Sequence, residues 1–165
     1  MYSTWNVSKS VDPDILLNIK EPRHKHCPYC RCKTHRVNKY YKRSAIGYED
    51  HEFIINYCIC SDCDKRFILS PPVFWKNTMY SSIDVIRVLL HEDDVRSSEI
   101  AETLLIDARH IRRWRKIYKP EQEAIKVFFY ETGCANADQL VKNLMNDELR
   151  EAFELRHPDM KLPPM

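Results

Sequence analysis

Glycine occurs only twice in the 165 residues, at Gly47 and Gly133. That scarcity excludes a glycine-rich phosphate loop and argues against flexible linkers. No run of about 18 apolar residues is present, so no membrane-spanning helix is expected. The first residues, Met1 to Ser10, lack the basic and then apolar pattern of a signal peptide. H-E-x-x-H is missing, and no H-x-E precedes the cysteine pairs, which removes two zinc-enzyme chemistries. No carboxylate cluster with metal spacing is evident either, so a nuclease or recombinase fragment is disfavoured.

What is present is cysteine, seven residues of it, in a chain that is 44 % hydrophobic and 30 % charged. A packed core is therefore expected, in one larger domain or two small ones. A cytoplasmic, reducing setting is the expectation, or the nucleoid if the chain is held on DNA. In such a compartment clustered cysteines hold metal more often than they pair as disulfides.

Four cysteines form two C-x2-C pairs, Cys27 with Cys30 and Cys60 with Cys63. Each pair brings two thiolates to one ion from a single tight turn, and the second pair completes the tetrahedron that zinc prefers. The 29 residues between the pairs suffice for a β-hairpin out and back. The predicted ligands are Cys27, Cys30, Cys60 and Cys63 around one structural Zn2+. Buried free thiols are the competing reading; a redox pair is disfavoured because no βαβ pattern surrounds it. Cys32, Cys58, His24 and His26 lie close enough in sequence to stand in for a ligand, whereas Cys134 reads as an isolated packed thiol. Four thiolates leave no open position for water, so the site reads as a staple rather than a catalyst.

The periodicity divides the chain in three. Residues 1–72 read as a ribbon with an N-terminal extension, in which Val11 to Ile19 suits a strand or short helix. Strands are predicted at Thr34 to Arg43, Glu52 to Ile59 and Arg66 to Leu69, with a turn at Gly47, Glu49 and Asp50. Residues 73–119 read as helices: one capped by Ser82, one from Ser97 or Ser98 to Leu104, and one from Asp107 to Lys119. Residues 120–165 read as two more helices, Glu121 to Glu131 and Ala137 to Leu155, followed by a frayed proline-rich tail. The fold class is α+β, a small β ribbon followed by an all-α unit.

The formal charge is only +2, but it is segregated. Lys20 to Arg43 carries nine Lys/Arg against Glu21 alone; Arg109 to Lys119 carries six and no acid; residues 120–165 carry five against nine acids. Two basic blocks in a nearly neutral chain mark a polyanion-binding face, although a solvated surface looks the same. In the third helix Ile111, Trp114 and Tyr118 fall at packing spacing. That leaves Arg109 and Arg113 for a DNA groove, and Arg112, Arg115 and Lys116 for phosphates or flanking contacts. In the ribbon, Lys33, Arg36, Lys42 and Arg43 join Arg31 and Lys39 among Tyr40 and Tyr41 as secondary contacts.

C-P-Y-C, a hairpin, then Y-C-I-C-S-D-C-D-K-R-F resembles the zinc-ribbon front end of bacterial insertion-sequence transposases, with Cys60, Cys63 and Phe67 matching its second half. S-S-E-I-A-E-T-L-L-I-D-A-R-H-I-R-R-W-R-K-I-Y is similar to their helix-turn-helix. The likeness runs from about Cys27 to Tyr118 and extends to small mobile-element proteins without a nuclease domain. Two glycines usual in that pattern are replaced, by Asp64 after the last knuckle cysteine and by Leu105 in the helical turn. Residues 120–165 are too few for a nuclease sheet. The resemblance implies non-catalytic, sequence-specific binding of double-stranded DNA by a transcriptional regulator or end-recognition factor of a mobile element. The acidic charge of the C-terminal helices, outside the likeness, suits a homodimer or protein partner. A ribbon that docks as an adaptor on transcription or recombination machinery is the alternative.

Overall fold

A computed structural model of the chain describes residues 22, 25–46, 48–75, 78, 80–163 and 165. The predicted element at Val11 to Ile19, together with His24 and Gly47, lies outside them. The fold is α+β: a three-stranded antiparallel sheet followed by six helices among the described residues. None of these helices is long and apolar enough to cross a membrane. The chain divides into two compact units between Ser82 and Ile83.

The sheet unit holds β1 (His35–Ala45), β2 (Tyr48–Cys60) and β3 (Arg66–Leu69), in the order β1-β2-β3. The hairpin is longer than the sequence predicts, because β2 already begins at Tyr48 and takes Glu49 and Asp50 into the strand. Asn38 is an extra residue in β1, since Val37 pairs with Cys58 and Lys39 with Tyr57. Side chains along β2 alternate between faces, yet burial changes face midway. Phe53 and Ile55 are buried on one face, and Cys58 and Cys60 on the other. The strand therefore serves two small cores at opposite ends. The distal core receives the segment after Pro71-Pro72: Phe74 meets Phe53 edge-on at 5.6 Å, and Ser82 donates its N–H to the Val73 carbonyl at 2.8 Å. Those contacts join Val73, Phe74 and Ser82 to the sheet unit.

The helical unit begins with α1 (Ser82–Leu90), buried almost all round, as β-branched and leucine residues on every face dictate. Ser82 is its first residue rather than its cap, and the Ser82 Oγ is buried without a partner among the described residues. α2 (Ser97–Leu104) and α3 (Ala108–Ile117) are joined by a three-residue turn in which Leu105 adopts φ 56°. Asp107 caps α3, its carboxylate accepting from the Arg109 N–H at 2.7 Å. The inward face of α3 carries Ile111, Trp114 and, just past its end, Tyr118, all buried as their spacing predicts. Pro120 lies in the first turn of α4 (Lys119–Glu131), where its missing N–H costs no helical bond.

The expected helix from Ala137 to Leu155 is two helices, α5 (Ala137–Leu144) and α6 (Asp147–Arg156). Asn146 breaks it by capping α6, accepting from the Leu149 N–H at 3.1 Å. The tail is packed rather than frayed: Leu162 and Met165 are buried, and Arg150 donates to the carbonyls of Pro163 and Leu144 at 2.9 and 3.1 Å.

Leu105 offers a direct check on the turn. A non-glycine residue in the left-handed region costs about 1–2 kcal/mol, and the side chain is 73 % exposed, so little packing is at stake. Leu105→Gly is expected to stabilise the helical unit by about 0.5–1 kcal/mol, net of the backbone entropy glycine adds. Urea denaturation of the two proteins measures it.

Candidate metal centre and basic surfaces

The two knuckles meet at the Cys60 end of the sheet. Each turns tightly: the Arg31 N–H donates to the Cys27 carbonyl at 2.9 Å, and the Cys60 N–H to the Lys65 carbonyl at 3.0 Å. The residue after each second cysteine, Arg31 and Asp64, takes φ of 65° and 53°. The glycine-like geometry at 64 is thus adopted without glycine.

Among the described residues, the one group able to hold a metal ion is Cys27, Cys30, Cys60 and Cys63, whose Sγ atoms all lie within 4.8 Å of one another. Cys27 and Cys63 are 3.7 Å apart, and Cys30 and Cys60 3.4 Å. A disulfide needs about 2.05 Å, and all seven cysteines are free. Four thiolates at about 2.3 Å from one ion stand roughly 3.8 Å apart along the tetrahedron edges, so the cluster fits a tetrahedral metal.

Backbone N–H groups aim at the sulfurs. Those of Cys63 and Asp62 donate to Cys60, that of Cys32 to Cys30, and that of Lys65 to Cys63. The Cys63 N–H, before the other contacts, pulls the Cys60 thiol down to about 7. At Cys30 the largest influence, the Cys32 N–H, also pulls down. The Cys60 thiol and burial outweigh it, and the Cys30 thiol is pushed up to about 12. Four sulfurs this close do not share negative charge unaided, and a cation is what lets all of them ionise.

Cys58 and Cys32 stand outside the cluster. Cys58 is buried beside it and faces the Asn56 carbonyl at 3.9 Å; burial raises its thiol. Cys32 accepts from the Thr34 N–H at 3.2 Å. Both pack with Cys27, Cys60, Phe67 and Leu69 as the apolar wall of the site. His26 is likewise not part of the group. Cys134, in the helical unit, is a buried thiol within 3.2 Å of the Asn143 amide.

The basic residues separate into free and engaged. On α3, Arg112, Arg113 and Lys116 are exposed and have no ion-pair partner among the described residues. Arg109 shares their face at 82 % exposure, but its guanidinium is held bidentately by Asp107, with contacts of 2.8 and 3.2 Å. That pair draws the Asp107 carboxyl down to about 2.

Arg115 is a correction to the phosphate-contact expectation. It is 14 % exposed and donates to the carbonyls of Val95 and Glu92 at 2.6 and 2.7 Å. It clamps the turn before α2 together with Lys119, paired to Asp93, and Lys126, paired to Glu92 at 3.2 Å. His91, in the same turn, is pushed below its ordinary value by burial and then by Arg115 and Lys126. Arg115→Ala is expected to cost about 2 kcal/mol by unpairing two carbonyls. Arg115→Lys does not restore it, because one ammonium lacks the fork that spans both. Chemical denaturation reads this directly.

In the ribbon, Lys33 and Arg36 are exposed and free of ion pairs among the described residues. Lys42 pairs with Glu52 at 2.8 Å. Arg43 is a second correction: its guanidinium donates to the Thr78 carbonyl at 3.3 Å and covers the Phe74 ring at 4.7 Å, so it closes the distal core. Arg66 is exposed, and Tyr57, half-buried, shares its face of the sheet with Ile59 and Ile68.

No protein-family model matches the chain, and no curated protein or solved structure does.

Proposed function

We propose that the chain is a non-catalytic double-stranded DNA-binding protein in which α2 and α3 act as a helix-turn-helix and the four cysteines hold one structural zinc. The observation that carries the reading is the two-sidedness of α3. Ile111, Trp114 and Tyr118 are buried on one side, while Arg109, Arg112, Arg113 and Lys116 recur at i, i+3, i+4 and i+7 on the other, with no acidic residue in the helix. A helix presenting such a stripe enters a major groove with arginine forks aimed at guanine or phosphate. The turn before it supports the same reading, because Leu105 in the left-handed region and the Asp107 cap make the sharp, defined corner that a reading helix needs.

Zinc is favoured for the metal because four thiolates in a closed tetrahedron suit it and leave no position for a reacting water. Iron accepts the same donors, and elemental analysis of the purified protein distinguishes the two. On this reading the zinc holds the knuckles, and Lys33 and Arg36 add backbone contacts. The resemblance to insertion-sequence proteins supports a regulator or end-recognition factor of a mobile element. A partner or second copy would sit on the acidic C-terminal helices.

The test is fluorescence anisotropy with labelled duplex between about 0.05 and 0.2 M salt, after selection of bound sequences from a random pool. Binding that steepens with falling salt, and a recovered consensus, support the proposal. Absence of duplex binding refutes it.

A further inference from the structure

Apart from Arg36, the sheet face opposite the four cysteines takes no part in the duplex reading. Its composition follows from the strand register. Arg36, Ile59 and Arg66 form one row across the three strands, and Lys39, Tyr57 and Ile68 form the next. Tyr41 follows in line, its ring 5.6 Å from that of Tyr57. No carboxylate stands in either row. Arg36, Lys39 and Arg66 are exposed, Ile68 is 54 % exposed and Tyr41 38 %. The opposite rows, with Cys58, Cys60, Phe67 and Leu69, are closed over the metal cluster.

Sheet faces ordinarily resolve into an apolar packed side and a polar wet side. This one is apolar and aromatic in the middle, cationic at its edges and open. That composition suits an occupant with flat apolar rings and a regular negative backbone. Unpaired nucleotides have both: bases stack on tyrosine, and phosphates meet arginine and lysine. Duplex DNA has its bases stacked on each other and presents none to a flat sheet. Lys39 rests over Tyr57 at 4.8 Å. A contact of that kind at an exposed site holds only about 0.5–1 kcal/mol, so a base displaces the ammonium towards a neighbouring phosphate.

We propose that the Arg36–Lys39–Tyr41–Tyr57–Arg66 face of the ribbon is a binding platform for single-stranded DNA, separate from the duplex-reading helix. The choice of DNA over RNA rests on the duplex reading, whereas the stacking platform stands without it.

The test uses the metal-loaded full chain and labelled oligo(dT) of about 16 nucleotides, the upper end of the site size for one such platform. Tyr41→Ala and Tyr57→Ala are each expected to weaken oligo(dT) binding by about 5- to 100-fold, while Tyr57→Phe keeps it. Because the alanine variants remove sheet contacts, Arg36→Glu with Arg66→Glu is measured as well. Both positions are exposed, metal content reports that the ribbon is intact, and a loss of at least about tenfold is expected. Arg112→Ala with Arg113→Ala is expected to weaken duplex binding far more than oligo(dT) binding, and the tyrosine variants the reverse, so failure of the duplex reading and failure of this one are seen separately. Oligo(dT) binding that survives both the tyrosine and the charge-reversal variants overturns the proposal, as does its absence. Tighter binding of oligo(rU), or equal binding of poly-glutamate, overturns single-stranded DNA as the occupant.

Discussion

Cys60→Ser is expected to abolish metal loading and to unfold the sheet unit, whereas Cys58→Ser is expected to retain about one ion per chain. The two cysteines are two residues apart on the same face of β2, and both are buried. Only Cys60 stands among sulfurs, 3.4 Å from Cys30, and only Cys60 is reached by the N–H groups of Cys63 and Asp62. The buried apolar cluster there is Cys27, Cys58, Cys60, Phe67 and Leu69, so the ligands themselves form much of the core. Structural zinc contributes on the order of 10–16 kcal/mol in small metal domains, as much as the whole net stability of a typical protein. Loss of one thiolate, or removal of the proposed ion by a chelator, is therefore expected to remove the fold around the cysteine cluster. Cys58→Ser instead places a hydroxyl in an apolar wall at a cost of about 1–3 kcal/mol, moderated by the nearby Asn56 carbonyl. Elemental analysis with circular dichroism decides the matter. Metal retained by Cys60→Ser, or lost by Cys58→Ser, would place the ligand set elsewhere.

The gathering of Cys27, Cys30, Cys60 and Cys63 was legible because C-x2-C states its own geometry: two thiols on one tight turn need no knowledge of the rest of the chain. The α3 cap and its buried face were legible for a similar reason. Asp107, Ile111, Trp114 and Tyr118 act within about three turns of one helix. What escaped was set by contacts distant in sequence. Arg115 looks like its basic neighbours until the carbonyls of Val95 and Glu92, twenty or more residues upstream, fold against it. Arg43 likewise waits for Thr78 and Phe74. The division at Met145-Asn146 hid because Leu140, Val141, Leu144 and Leu149 continue an apolar period across it, and the Asn146 cap competes with that period only locally. The change of buried face along β2 needs the extra residue Asn38 in its partner strand, which no property of β2 alone announces. Leu105 and Asp64 show the converse: the backbone takes φ of 56° and 53° without the glycines that usually mark such corners, because the knuckle and the helix cap fix it from both sides.

Arg112→Ala combined with Arg113→Ala is expected to weaken duplex binding by about 30-fold or more, and to lower the salt dependence of log Kd by about two. Each guanidinium is exposed on the outer side of α3 and free of ion pairs among the described residues, so neither has an internal bond to lose and both are available to DNA. An arginine reading guanine or gripping a phosphate contributes about 1–3 kcal/mol, and two of them at the lower half of that range give the stated loss. The fold is not at stake, because the helix keeps Ile111 and Trp114 in the core and alanine raises helix propensity. Arg109→Ala supplies the internal comparison. Its fork already faces Asp107, so reaching DNA means exchanging one carboxylate for another anion, and its removal is expected to weaken binding less than removal of Arg113. The order Arg113 above Arg109 is what separates a reading helix from a merely cationic one: a nonspecific field would fall equally with either charge, and equal losses with no selected sequence would leave α3 as a basic surface without a code.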